Sequence, residues 1–341
     1  MSESTANYQI QAADHKAIPL SGIVPDDMWR QVRLAGFAIF IVGYIIWFFV
    51  QGLIIDRISV AISVGIFIII GHLGRPRRDW TRLGFDMLCY VAMWFIYENS
   101  RGWGDAAGFP IQVEAPRNID RLLFWGTDPN VWMNQHFYEK SIRWYESVAS
   151  VTYFTHFIFP VIALAVLWVT SHREWVRFMR RFATLLFVAC VGFVLMPTVP
   201  PWMAADRKNY HYRILAPLAR RHTGRGFAHL GLKGFVNVWQ SALDWGNPIA
   251  AMPSLHAGFA LFVPAFFLPR IPWVWLKALV LTFPVIMLAS LVYFGEHYVI
   301  DGLAGWIIVG GSFAFWGWFE RRQRRTRAAR AFAGLLPGTP L

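Results

Sequence analysis

Trp273-Val-Trp-Leu-Lys-Ala-Leu-Val-Leu-Thr-Phe-Pro-Val-Ile-Met-Leu-Ala-Ser-Leu-Val-Tyr-Phe294 is an apolar run interrupted by one charge, Lys277. A helix crossing the ~30 Å hydrocarbon layer of a bilayer needs ~20 such residues, because each adds ~1.5 Å of rise. A soluble core has no need of so long a run. Working outward, further apolar segments fall near 34–55, 58–72, 83–97, 150–170, 182–198, 254–268 and 298–319. Those at 58–72 and 83–97 are short for a span. The chain is 56% hydrophobic and only 15% charged, whereas soluble domains carry about 25% charged residues. The reading is an all-α polytopic membrane helix bundle with about eight transmembrane helices, six at the fewest.

The formal net charge of +12 belongs to membrane topology before any nucleic-acid partner, and none is expected. With the N-terminus inside, the short inside segments hold Lys16, Arg30 and Arg33, then Arg75, Arg77, Arg78 and Arg82. Arg173, Arg177, Arg180, Arg181, Arg270 and Lys277 follow, with six arginines between Arg321 and Arg330. This obeys the positive-inside rule and places both termini in the cytoplasm. The expected divisions are a cytoplasmic segment 1–33, N-terminal transmembrane helices 34–117, a catalytic membrane domain 118–320 and a basic cytoplasmic tail 321–341. The first thirty residues are polar, without a signal-peptide core. Cys89 and Cys190 lie in apolar runs and imply no disulfide framework. Of the two long outside loops, 98–149 holds a candidate interfacial helix at 118–140. Loop 199–249 carries Arg207, Lys208, Arg213, Arg220, Arg221, Arg225 and Lys233 against Asp206 and Asp244. It is either a solvated loop near head groups or a funnel for an anionic substrate.

Chemistry concentrates in Ala251-Met-Pro-Ser-Leu-His-Ala-Gly258 and in Gly295-Glu-His-Tyr-Val-Ile-Asp301. Pro253 suits the first turn of a helix, whose free N–H groups and positive end attract an anion. Ser254 adds a hydroxyl donor there, and His256 stands in the same turn. His297 and Asp301, four apart, share a face if helical, and a carboxylate so placed fixes an imidazole's tautomer. Single membrane-embedded histidines commonly serve as helix–helix hydrogen bonders. Two histidines and an acid converging on one membrane face beside an anion site point instead to phosphoryl chemistry. One imidazole attacks phosphorus and the other protonates the leaving oxygen.

Pro253-Ser254-Leu255-His256 and His297-Tyr298-Val299-Ile300-Asp301 resemble the motifs of the type 2 phosphatidic acid phosphatase superfamily. Leu255 at the third position, the His-Tyr-x-x-Asp spelling and Pro197-Thr-Val-Pro-Pro-Trp202 look like its inositol phosphorylceramide synthase branch. The resemblance covers roughly residues 120–320 and implies a six-helix catalytic core. It further implies that His297 is a nucleophile forming a phosphohistidine, Asp301 its orienting partner, His256 the acid for the leaving group and Ser254 a phosphate ligand. No metal or cofactor is implied.

The sequence departs from the superfamily in its cations. Its first motif is Lys-x6-Arg-Pro, but the sole Arg-Pro here, Arg75-Pro76, has Ile68 at the Lys position and falls on the cytoplasmic side, so it is read as a decoy. The usual Ser-Arg before the second histidine is Ser290-Leu291. Phosphoryl charge still calls for cations, and Arg207, Lys208 and Arg101 are the candidates. The function expected is a lipid phosphotransferase, acting at the extracytoplasmic face of the cell membrane on a phospholipid or isoprenoid phosphate. A lipid phosphatase would use the same residues, with Glu296 able to activate an alcohol or water. A flippase is the alternative of another class, against which no paired half-sequences suggest an inverted repeat. A metal site built from His211, His222, His229, His256 and His297 lacks compact zinc spacing. Nothing in the sequence sets an oligomeric state.

Overall fold

The computed structural model describes residues 26–51, 57–204, 221–231 and 249–334. The helices are α1 (Asp26–Gln51), α2 (Arg57–His72), α3 (Arg77–Ala106), α4 (Glu114–Leu123), α5 (Pro129–Phe137), α6 (Trp144–Thr170) and α7 (His172–Leu195). The short α8 (Pro201–Ala204) and α9 (Arg225–His229) follow, then α10 (Leu255–Phe267), α11 (Val274–Tyr293) and α12 (Val299–Gly334). Among the described residues there are no strands, only isolated parallel bridges from Thr198 to Gln112 and to Ala250. The protein is an all-α polytopic membrane bundle, as its apolar runs require.

Over its described residues each expected apolar segment falls mainly on a helix, but fewer than eight of these helices are spans by length and composition. Among the described residues, Asp27–Trp47, His172–Leu195, Val274–Tyr293 and Val299–Ala329 are long and apolar enough. A fifth span results if the two halves of α6, Trp144–His156 and Ile158–Thr170, are taken together across their 43° bend. Pro160 explains that bend: it lacks an N–H, and its ring crowds the carbonyl of His156. Ser59–His72 and Leu255–Arg270 are apolar but shorter; at ~1.5 Å per residue neither reaches ~30 Å. The interfacial helix expected at 118–140 is instead two helices, α4 and α5. A turn separates them in which Trp125 and Gly126 take positive φ, 50° and 90°.

The chain forms two compact units, residues 1–95 with 164–172, and residues 96–163 with 173–341. In the first, Arg75 donates to the carbonyls of Gly71 (3.2 Å) and Val169 (3.0 Å). It therefore satisfies one carbonyl near the end of α2 and one near the end of α6. His172 Nε2 lies 2.7 Å from Asp86 Oδ2 in the same unit.

In the second unit, Pro197–Val199 lies between two other segments. Gln112 N–H donates to Pro197 O (2.7 Å) and Val199 N–H to Gln112 O (3.0 Å). On the other side Thr198 N–H donates to Ile249 O (2.7 Å) and Ala251 N–H to Thr198 O (3.2 Å). The residues leading into α10 are thereby held against the end of α7. Close backbone approach completes the arrangement. A Cβ on Gly192 of α7 would stand 2.5 Å from Pro253 Cδ, and one on Gly305 of α12 would stand 2.3 Å from Ser254 O. Both positions require glycine for space.

Candidate active site

The helix carrying His256 starts later than its proline suggests. Pro253 precedes the N-cap, Ser254, and α10 begins at Leu255. Ser254 is buried, and its Oγ accepts from Ala257 N–H (3.3 Å), the usual role of an N-cap serine. Its hydroxyl proton can still be donated. Ser254 N–H donates to Asp301 O (2.9 Å), tying the start of α10 to the first turn of α12.

His297 is likewise not helical. It lies in the short connection between α11 and α12, while Asp301 sits in the first turn of α12. The i,i+4 helical face expected for this pair is replaced by a capping arrangement. Asp301 Oδ2 accepts from Tyr298 N–H (2.9 Å), as the third helical residue does in a capping box. The same oxygen lies 3.4 Å from His297 Nδ1, longer than a good hydrogen bond but within ion-pair reach.

Side chains of α4 and α5 that the sequence did not single out hold this connection from outside. Asp120 of α4 is fully buried and accepts from Val299 N–H (2.7 Å) and Ile300 N–H (2.9 Å). It supplies acceptors that the start of α12 lacks within its own helix. Burial outweighs those two bonds and pushes the Asp120 carboxyl up to about 7. From α5, Asn130 donates to Val292 O (2.9 Å) and His297 O (3.0 Å), and Asn134 donates to Tyr293 O (3.0 Å). These are carbonyls at and beyond the end of α11. The backbone of His297 is therefore fixed on both sides.

The two histidines meet directly. His256 Nδ1 is 3.0 Å from His297 Nε2, and His256 Nε2 is 3.0 Å from the Tyr153 hydroxyl on α6. One proton arrangement satisfies the series if Asp301 is ionised, since a carboxylate only accepts. His297 Nδ1–H then faces Asp301, and His297 Nε2 offers a lone pair to His256 Nδ1–H. His256 Nε2 in turn accepts from Tyr153. The ring of His156 lies edge-on to His256, with centroids 4.1 Å apart, and its Nδ1–H donates to the Tyr153 carbonyl. Tyr153 and His156, polar residues inside an apolar run, carried a signal of their own.

Beside His297, Glu296 Oε1 accepts from Arg221 Nε (2.9 Å) and from the Thr223 hydroxyl. The Arg221 guanidinium lies 4.5 Å from the Trp202 ring centroid, and Trp202 N–H donates to Gly295 O (2.9 Å). The role expected of Glu296, activation of an incoming hydroxyl, competes with these two donors. Arg225 pairs with Glu146 at 3.5 Å and donates to the carbonyls of Glu139 and Lys140. Arg207 and Lys208 lie outside the described residues; Arg101 lies on α3, its side chain outside them. Among the described residues, no group of three or more His, Cys, Asp or Glu side chains could hold a metal ion.

An all-helical membrane protein with two facing histidines and a carboxylate defines a class: integral-membrane enzymes acting on phosphoesters. The chain belongs to the PAP2 superfamily, which residues 119–315 match, a family of lipid phosphotransferases and phosphatases. Over 282 residues it is 23% identical to a phosphoinositol dihydroceramide synthase of Bacteroides thetaiotaomicron, covering 80% of this chain and 87% of that protein. No solved structure matches it. The resemblance read from the two histidine motifs and from Pro197–Trp202 agrees with both findings.

Proposed function

We propose that the protein is a lipid phosphotransferase that moves a phosphoryl or phospho-head-group from a lipid donor to a lipid hydroxyl through a phosphohistidine. The reading rests above all on the series Tyr153–His256–His297–Asp301. In the first step His297 Nε2 uses its lone pair to form a P–N bond while the P–O bond to the leaving group breaks. To act as the acid, His256 carries a second proton on Nε2, directed at the Tyr153 oxygen. The leaving oxygen then takes the Nδ1 proton, and the ring is left neutral. Asp301 supports the charge that His297 gains. In the second step the acceptor hydroxyl gives its proton back to His256 as its oxygen forms a bond to phosphorus and the P–N bond breaks. Ser254, at the start of α10, contributes a hydroxyl to the phosphate. Residues 118–320 form the catalytic domain, with both termini cytoplasmic and the site at the outer face of the cell membrane.

The similarity to a phosphoinositol dihydroceramide synthase favours a ceramide-like alcohol over water as acceptor. The test is incubation of the purified full chain, in detergent with EDTA, with labelled phospholipids and lipid phosphates, with and without dihydroceramide. His297→Ala runs beside it. Label on the acceptor lipid, lost in the variant, is the expected outcome. Water-soluble phosphate released alone makes the enzyme a phosphatase. Wild-type activity matched by the variant rules out the phosphohistidine.

A further inference from the structure

The transferred group carries negative charge that one serine and two imidazoles do not offset, and the superfamily's usual cations are absent from this sequence. Most described cations of this unit near the site are engaged elsewhere. Arg117 pairs with Asp128 at 2.6 Å, Arg143 with Glu139, and Arg225 with Glu146 and two carbonyls. Arg221 differs. Its Nε–H is given to Glu296, the residue directly before His297, and its guanidinium carbon lies over the Trp202 ring, whose backbone N–H donates to Gly295 O. Its two terminal nitrogens have no hydrogen-bond partner among the described residues, and the side chain is partly exposed.

We propose that Arg221 is the phosphate clamp of this site, a substrate-binding residue for the phosphoryl group transferred through His297. The assignment rests on the phosphotransferase reading above. Glu296 and Trp202 fix the guanidinium on its Nε side and on one face. The edge carrying the terminal N–H groups is left to meet two phosphoryl oxygens together, a match that lysine cannot reproduce. Glu296 thereby acts as a positioning residue for the clamp. Thr223 donates to the same Glu296 oxygen and steadies the carboxylate that holds Arg221. The ligand chemistry recognised is the tetrahedral phosphate oxyanion. The lipid that carries it is selected elsewhere.

The test uses the full chain in detergent with two readouts, binding of inorganic phosphate and turnover of a labelled phospholipid. Arg221→Lys, Arg221→Ala and His297→Ala are compared with wild type. Phosphate affinity is expected to fall about 10-fold in Arg221→Ala and less in Arg221→Lys. Turnover should fall about 100-fold in Arg221→Ala, the scale seen when one charge-stabilising donor is removed. Added methylguanidine should restore part of it in Arg221→Ala and none in His297→Ala, an effect a purely structural loss would not show. Phosphate bound equally by wild type and Arg221→Ala overturns the clamp, whatever the turnover. So does wild-type protein that binds no phosphate, even if turnover depends on His297 and the transferase reading survives. Arg221-dependent binding without any turnover keeps the clamp and removes the transferase reading.

Discussion

Helices α10 and α12 both begin beside the paired histidines, and they begin differently. α10 starts on a neutral serine, whose Oγ accepts from Ala257 N–H. α12 starts among carboxylates: Asp120 accepts from Val299 and Ile300, and Asp301 from Tyr298. Both ends carry the partial positive charge of a helix N-terminus. At α12 the protein's own acids take up the free N–H groups of that end, which holds the connection carrying His297 in place. At α10, among the described residues, the Ser254 hydroxyl rather than a carboxylate caps the first turn, and on the proposed reading its positive end receives the anionic group. On the proposed reading, two similar helix starts thus divide the work of holding the nucleophile and receiving its target.

The division predicts unequal effects. On the α10 side, His256→Ala should lower turnover by roughly 100- to 10,000-fold, the range for loss of a general acid. The loss should shrink with a p-nitrophenyl leaving group, which departs without a proton. An equal loss with both substrates would remove the acid role. On the α12 side, Asp120→Ala leaves two half-buried N–H groups without their acceptors, at a cost of about 1–3 kcal/mol in stability. Thermal unfolding and turnover should therefore both suffer, whereas His256→Ala should affect turnover alone.

The same carboxylate gives a smaller, pH-dependent effect. Its pKa is raised in the fold to about 7, chiefly by burial, so the folded state holds the proton more tightly than the unfolded chain does. That stabilisation is complete below the ordinary carboxylate pKa of ~4 and is lost as pH rises through about 7. Melting curves between about pH 5 and pH 8 should show wild type losing stability that Asp120→Asn keeps. Parallel curves would mean that Asp120 does not titrate there. Smallest of all, Ser254→Ala should cost about 1 kcal/mol through loss of the cap. A larger drop in phosphate affinity than in melting temperature would mark a ligand role as well.

The comparison also explains what the sequence could and could not disclose. His256, His297 and Asp301 were legible because each motif is local and its spelling survives in a few residues. The apolar runs were legible as helices for the same reason. Span number was not, since Pro160 bends α6 and the apolar helix at Leu255–Arg270 is short. The mounts of His297 act across the chain: Asp120 reaches residues 179 and 180 positions away, and Asn130 reaches His297 across 167. Tyr153 and His256 are 103 apart. No periodicity reports such pairings. Arg221 was one of seven basic residues in its loop, and only its contact with Glu296 sets it apart.

α12 has one more consequence. Its 36 residues run without a break to Gly334, about 54 Å at ~1.5 Å per residue, well beyond the ~30 Å of hydrocarbon. Near where it leaves the apolar layer, Glu320 is gripped by Arg177 (3.2 Å) and Arg181 (2.9 Å). Beyond that grip the exposed Arg321, Arg322, Arg324, Arg325 and Arg327 ride on a stiff mast rather than a loose tether. Each charge therefore stands at its own distance along the helix axis, and if the tail lies at an anionic leaflet, as proposed, neutralising them one by one should weaken attraction to anionic lipid in graded steps, Arg321 most and Arg327 least.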